Sequence, residues 1–205
     1  MTTVIGLTGR IGSGKSLAAA DLKEMGAAII DADKVGHQII AKGKPAYDQI
    51  IDAIPGDYLD ETGEIDRKKL AAAVFGDASG AYVRKLNAIT HPQITAEIQQ
   101  KIEEYTSQGY PMIVIEAALL LQSDLMRLVD GVWLITAPDE IAVARAAARD
   151  GVSREKIEAR LAAQMSEEEM AAQADLRIVN DGDRAQLAAR LARAMRDWLG
   201  DNSGI

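Results

Sequence analysis

Short apolar runs, rich in β-branched residues, punctuate the chain, and between them apolar side chains recur three and four positions apart. The runs are Val4 to Thr8, Ala28 to Ile30, Met112 to Ile115, Val132 to Ile135 and a shorter one, Leu176 to Val179. Little polar alternation interrupts them, as expected of strands covered on both faces. Strands alternating with helical segments predict βαβ units, and so an α/β fold with a five-stranded parallel sheet and helices on either side.

A glycine-rich turn follows the first run and leads into a helix over about 15–25, which Gly26 ends in a left-handed cap. The interval between the second and third runs is long, and helical patterns fill it. Pro45 stands at a helix start, and Asp66 caps a helix over 67–75. Ser79 opens one reaching about Thr90, and Pro92 opens another reaching about Glu104. An insertion of this size exceeds what one crossover needs and predicts a second wall over the sheet edge, where a substrate would sit. A second insertion separates the fourth and fifth runs. It reads as a helix over about 138–149, a turn at Asp150-Gly151 and two further helical pieces, with a capping box at Ser166-Glu167-Glu168-Glu169. The last helix repeats that spacing at Asp183 and Gln186. Its Leu187, Leu191, Met195 and Trp198 share one face, and Arg184, Arg190, Arg193 and Arg196 are expected on a solvated one.

Composition narrows the class. The chain has 205 residues, 48% of them hydrophobic and 26% charged, which is enough for one sizeable core and excludes wholesale disorder. With 31 acidic against 23 basic residues the net charge is −8, the wrong sign for a general nucleic-acid binder. The absence of cysteine excludes disulfides, a thiolate nucleophile and Cys-ligated zinc, and two histidines leave little for zinc chemistry. The apolar stretch from Met112 to Leu121 is broken by Glu116 and is far shorter than the roughly 20 residues of a membrane span. The opening residues lack a basic lead-in and an apolar core, so they read as a first strand rather than a signal peptide. The profile expected is that of a cytoplasmic enzyme without membrane or nucleic-acid partners.

The sharpest chemical signal is Gly9-Arg10-Ile11-Gly12-Ser13-Gly14-Lys15-Ser16, which satisfies the P-loop pattern G-x-x-x-x-G-K-[ST]. Chance produces it in about one chain in a hundred of this length. Here it also follows a predicted strand and opens a predicted helix, where its mechanism requires it. The glycines let backbone N–H groups converge on phosphate oxygens, and the helix N-terminus adds unpaired donors and partial positive charge. Lys15 is expected to reach the outer phosphates and Ser16 to ligate Mg²⁺.

Three classes share such a loop: a small-molecule kinase, a GTP-dependent switch and an assembly ATPase. The guanine-reading N-K-x-D stretch is missing, and Asp60-Glu61-Thr62-Gly63 matches a switch motif only formally and reads as a turn. An assembly ATPase wants an acidic pair after the third strand, where Ala117 follows Glu116. Glu116 is either a second Mg²⁺ contact, through water, or a strand-end carboxylate paired structurally. A kinase needs a carboxylate to take the hydroxyl proton, and Asp31-Ala32-Asp33 ends the second strand beside the loop. One of the two caps a helix while the other faces the acceptor. Arg145 and Arg149, four apart, either close over the phosphates or pair with Asp150 or Glu140 on a solvated face; Arg160 is a weaker candidate.

The residues resemble the dephospho-coenzyme A kinase family across nearly the whole chain. The elements that carry the likeness are Gly6-Leu7-Thr8-Gly9 through Ser16, Ile30-Asp31-Ala32-Asp33, and Gly63-Glu64-Ile65-Asp66-Arg67 with Leu70 and Val74-Phe75. They continue with Leu86-Asn87-Ala88-Ile89-Thr90-His91-Pro92, Arg145, Arg149-Asp150-Gly151, Arg160 with Gln164, and Ala174-Asp175 with Asn180. The resemblance implies a three-layer P-loop kinase fold and transfer of the ATP γ-phosphoryl to the 3′-hydroxyl of dephospho-CoA, with Mg²⁺. It implies a single domain made of a nucleotide-binding core over about 1–33, 111–137 and 174–205, a helical CoA-binding insertion over about 34–110, and a lid over about 138–173. Asp33 is implied as the base, with Lys15 and Arg145 stabilising the transferring phosphoryl. Gly9, Ile11, Gly12, Ser13, Gly14, Lys15, Ser16, Leu17 and Arg145 are implied in ATP binding, with Asn180 near the adenine. Asp31, Asp33, Arg67, His91, Glu116 and Leu119 are the acceptor-side candidates, His91-Pro92 being as readily a structural turn. His37 stands where relatives carry Arg and is read as bland. The expected assembly is a monomer or weak homo-oligomer.

Departures from the family pattern bear on acceptor binding. Leu17 replaces a Thr, Ala142 a frequent Gln, and Ala118-Leu119-Leu120-Leu121-Gln122 lacks the usual proline and terminal acid. The alternatives are another small-molecule kinase, shikimate-like or acting on nucleotides, or a nucleotide-dependent binding module without acceptor chemistry.

Overall fold

Strands β1 (Thr3–Thr8), β2 (Ala28–Asp31), β3 (Met112–Glu116), β4 (Gly131–Thr136) and β5 (Leu176–Val179) form one parallel sheet, in a computed structural model that describes residues 2–201. Their order is β2-β3-β1-β4-β5, so β1 is central and the chain reverses direction across the sheet beside it. The helices in chain order are α1 (Lys15–Glu24), α2 (Ala32–Gln38), α3 (Pro45–Ala53), α4 (Arg67–Gly76), α5 (Ala81–Ser107), α6 (Asp139–Asp150), α7 (Arg154–Ala162), α8 (Glu167–Ala171) and α9 (Arg184–Asp201). Two short 3₁₀ turns, Leu120–Gln122 and Asp124–Leu128, connect β3 to β4. No helix among the described residues is long and apolar enough to cross a membrane.

The chain divides into two compact units. The first holds the chain up to Asp31 and from Ile102 onward, with the whole sheet; the second is Ala32–Lys101. In the first unit Ile5, Leu7, Met112, Val114, Trp133 and Ile135 pack with Leu22 of α1 and Leu187 and Leu191 of α9. Because strand side chains alternate, Val4, Ile113, Ile115, Val132 and Leu134 are buried on the opposite face. This two-sided burial explains the uninterrupted apolar runs. Parallel register sets Leu7 against Glu116 and Asp31 against Glu116, which aligns the carboxyl ends of β1, β2 and β3.

In the second unit Val35, Tyr47, Ile50, Ile54, Leu70, Val74 and Ile98 are buried. The Tyr58 hydroxyl donates to the carbonyls of Ile54 and Ile50 at 2.6 and 3.1 Å, closing the end of α3. Asp66 caps α4 as its position predicts, accepting from the N–H groups of Lys68 and Lys69. Asp60 to Gly63 is a tight turn, the Gly63 N–H donating to the Asp60 carbonyl at 3.0 Å.

Two local expectations differ from the structure. Pro92 does not open a helix: it lies inside α5, which starts at Ala81 rather than at Ser79. A proline removes the N–H that would meet the carbonyl four residues back, here that of Ala88, and the helix runs on around it. The arginines of α9 are exposed, as expected of a solvated face, though two of them are not unpaired. Arg184 grips the buried Asp21 of α1 at 2.7 Å, and Arg190 binds Asp181 at 2.7 Å and the Val179 carbonyl. His37 is not bland, since its Nδ1 lies 3.2 Å from an Arg67 guanidinium nitrogen.

Candidate active site

The loop after β1 wraps closely because two of its glycines do what no other residue does there. Gly12 has φ 76°, and a Cβ on it would lie 2.0 Å from the Ala142 carbonyl oxygen of α6. Gly14 has φ 94°, and its Cβ would lie 2.1 Å from Asn180 Nδ2. Both positive φ values and the missing side chains let the loop sit against α6 and the end of β5. Ala142 is buried at this contact. Gly9 leads off the end of β1, and the Ser13 N–H turns back to the Arg10 carbonyl at 3.2 Å. The result is a loop whose chain enters α1 at Lys15, so its N–H groups and the helix N-terminus form one donor surface.

At the base of that surface three side chains meet. Lys15 Nζ stands 2.8 Å from Glu116 Oε1, and Ser16 Oγ donates to the same oxygen at 2.6 Å. The Lys15 and Glu116 side chains are only 13% and 10% exposed. Glu116 is thus paired structurally in this state, and it is paired with the very groups read as the phosphate and Mg²⁺ contacts. Leu17 is exposed in the first turn of α1. Lys15 is thus held in a largely buried ion pair.

Arg145 and Arg149 separate. Arg145 donates to the carbonyls of Asn180 and Gly182, at 2.9 and 3.2 Å, which uses only part of its donor set. Arg149 Nε binds Asp150 at 2.7 Å, and Arg160 reaches the other oxygen of the same carboxylate at 3.2 Å. The Arg149 guanidinium, hydrogen-bonded beside it, holds the Asp150 carboxyl below the ordinary range, and Asp150 in turn raises Arg149. Of the two readings for this pair, Arg149 takes the structural one. Asn180 does not present its side chain to solvent: it is 3% exposed, and its Nδ2 donates to the Ser13 carbonyl at 2.8 Å.

Two residues of the loop's surroundings went unassigned in the sequence. Gln164, between α7 and α8, accepts the Ile11 N–H at 2.9 Å. Arg10 donates to Asp139 at 3.0 Å and to the Leu161 carbonyl at 3.1 Å. Both tie the segment over 138–173 to the phosphate loop. No periodicity marks Gln164; only its place beside Arg160 in the family pattern singles it out. Next to these residues a cleft of about 90 Å³ is lined by Gly9, Arg10, Leu119, Gln122, Gln164 and Met165. Leu119 is 64% exposed.

The remaining acceptor-side candidates are placed as follows. Asp31 closes β2, with its Cα in register with Glu116. Asp33 is exposed in the first turn of α2, in the second unit. Arg67 begins α4 and donates to His37. His91 is exposed in the middle of α5, in continuous helix rather than in a turn.

Comparison with known proteins places the chain in a family. A family model described as dephospho-CoA kinase matches residues 3–186. The dephospho-CoA kinase of Carboxydothermus hydrogenoformans is 42% identical over 195 residues, covering 95% of this chain and 94% of that one. Among solved structures, the dephospho-CoA kinase of Campylobacter jejuni superposes with a TM-score of 0.73 at 26% identity, covering 98% of this chain and all of that one. A shikimate kinase from Acinetobacter baumannii shares the fold alone, with a TM-score of 0.55 at 12% identity, covering 98% and 95% of the two chains. The β1-loop-α1 cradle, the strand order and this match over nearly the full length lead to one statement: the chain belongs to the dephospho-CoA kinase family.

Proposed function

We propose that this chain transfers the γ-phosphoryl group of ATP to the ribose 3′-hydroxyl of dephospho-CoA, giving coenzyme A and ADP, the last step of coenzyme A synthesis. The observation that carries the reading is a family match running through phosphate loop, insertion and lid alike, residues 3–186. The N–H groups of Gly9 to Ser16, with the α1 N-terminus, bind the polyphosphate. Lys15 exchanges Glu116 for the outer phosphates and, with the donors Arg145 has left, stabilises charge on the transferring group. Asp33 takes the proton as the 3′-oxygen bonds to the γ-phosphorus and the bond from that phosphorus to the bridging oxygen breaks, releasing ADP. Asp31, Arg67, His91, Glu116 and Leu119 are proposed to hold the acceptor.

The residues present fit magnesium. Ser16 hydroxyl and Glu116 carboxylate are hard oxygen donors 2.6 Å apart beside the loop. Mg²⁺ takes few protein ligands of this kind and fills its shell with phosphate and water. When bound with ATP it neutralises charge on the outer phosphates. The core over 1–33, 111–137 and 174–205 is proposed to hold the nucleotide and the insertion over 34–110 the CoA moiety. The segment over 138–173 would then close as a lid; the bonds of Gln164 and Leu161 to the loop support that role. We place the reaction in the cytoplasm and in a monomer or weak homo-oligomer.

The test is ADP formation measured with and without dephospho-CoA, with shikimate as a control acceptor. Strict dependence on dephospho-CoA, with product phosphorylated at the 3′ position, is expected. ADP release indifferent to the acceptor overturns the kinase reading.

A further inference from the structure

Asn180 is the first residue after β5, and the phosphate-transfer scheme leaves its side chain without a task. Its own N–H continues the sheet by donating to the Thr136 carbonyl at 2.7 Å, which fixes the residue's backbone. Its buried Nδ2 then reaches back to the Ser13 carbonyl at 2.8 Å, and Gly14 leaves the room for it. The Ser13 carbonyl and the Gly14 N–H belong to one planar trans peptide, so they point in opposite directions. Holding the carbonyl outward therefore holds the N–H inward. In a glycine-rich loop this peptide would otherwise flip at little cost. The Asn180 carbonyl, in turn, accepts from Arg145 at 2.9 Å.

We infer that Asn180 is a positioning residue of the phosphate loop, which fixes the Gly14 N–H toward the polyphosphate and joins the loop to Arg145, rather than a contact for the adenine base. The inference rests on the reading of the loop as a polyphosphate cradle.

Binding of ATP, GTP and inorganic tripolyphosphate to the full chain tests it, alongside thermal melting and the ¹⁵N resonance of Gly14. Asn180→Asp keeps the shape but sets an acceptor against the Ser13 carbonyl. It is expected to weaken tripolyphosphate and ATP by the same factor, about tenfold, and to shift the Gly14 resonance. Asn180→Ala, which adds no charge, is expected to weaken both equally by about threefold and decides the matter if the Asp variant does not fold. Loss of ATP affinity with tripolyphosphate binding unchanged would make Asn180 a base contact and overturn the inference. A lower melting temperature with both affinities intact would reduce it to a structural bond. Wild-type chain that does not bind tripolyphosphate overturns the cradle reading itself.

Discussion

Lys15 Nζ and Glu116 Oε1 face each other at 2.8 Å, joining residues that stand 101 positions apart. The parallel pairing of β1 with β3, Leu7 against Glu116, brings the carboxylate to the end of the phosphate loop. Ser16 shares the same oxygen. One carboxylate thus neutralises the loop's lysine and accepts from its serine hydroxyl. In the proposed reaction the polyphosphate replaces this carboxylate as the partner of Lys15, and the new contacts have to offset the loss of the pair.

Lys15→Ala is therefore expected to affect more than chemistry. It removes phosphate contact and leaves Glu116 largely buried with Ser16 as its partner. We expect a loss of about 2 kcal/mol in stability, below the cost of breaking a fully buried pair because the hydroxyl still donates. Turnover should fall by at least about a hundredfold. Denaturant melts without ligand check the first part; an unchanged midpoint would show that the pair contributes nothing to the fold.

Glu116→Gln keeps the hydrogen-bonding shape and removes the charge. If Glu116 helps to hold Mg²⁺ in the working complex, the Mg²⁺ concentration for half-maximal rate should rise about tenfold, with ATP binding measured in the absence of metal little changed. A titration of rate against Mg²⁺ decides this. An unaltered metal requirement would confine Glu116 to its bond with Lys15.

Asp33→Asn is expected to cut kcat by about a hundredfold or more while sparing ATP affinity, as for a lost general base. Single-turnover phosphoryl transfer, measured beside equilibrium ATP binding, separates the two quantities. Near-normal kcat would return this carboxylate to a structural role at the start of α2.

The loop before α5 carries an acid-sensitive element. Bonding from Ser79 Oγ, first, and from the N–H groups of Tyr82 and Ser79 lowers the Asp77 carboxyl from its ordinary 3.8 to about 2. A depressed folded-state value means that the stabilisation is complete above pH 3.8 and lost as pH falls through about 2. The protection factor of the Tyr82 amide, its exchange measured against the unstructured rate at each pH, should fall as pH drops through that window, and should no longer change with pH in Asp77→Asn. A protection factor that is flat between those two values would contradict the assignment.

Features with a local cause were legible in the sequence. All five strands fall within a residue of the apolar runs, because burial on both faces suppresses polar alternation. The reciprocal bonds of Ser166 and Glu169 form the capping box that their spacing predicts. Gly151, at φ 63°, ends α6 where the Asp150-Gly151 turn was expected. Pro92 shows the limit of such rules. Proline favours a helix start, but long-range packing of α5, including the fully buried Ile98, carries the helix through it.

The order of residues by itself determined the phosphate loop, its strand-to-helix setting and the family, since these depend on spacing along a single stretch of chain. Tertiary structure alone decided the partners: Glu116 for Lys15, the Asn180 and Gly182 carbonyls for Arg145, Ser13 for Asn180, and Ile11 for Gln164. Each joins residues far apart in the chain, and the register of the sheet and the packing of α6 through α9 bring them within hydrogen-bond distance. A carboxylate or guanidinium can satisfy its charge with many neighbours, and only the folded chain selects which one it meets.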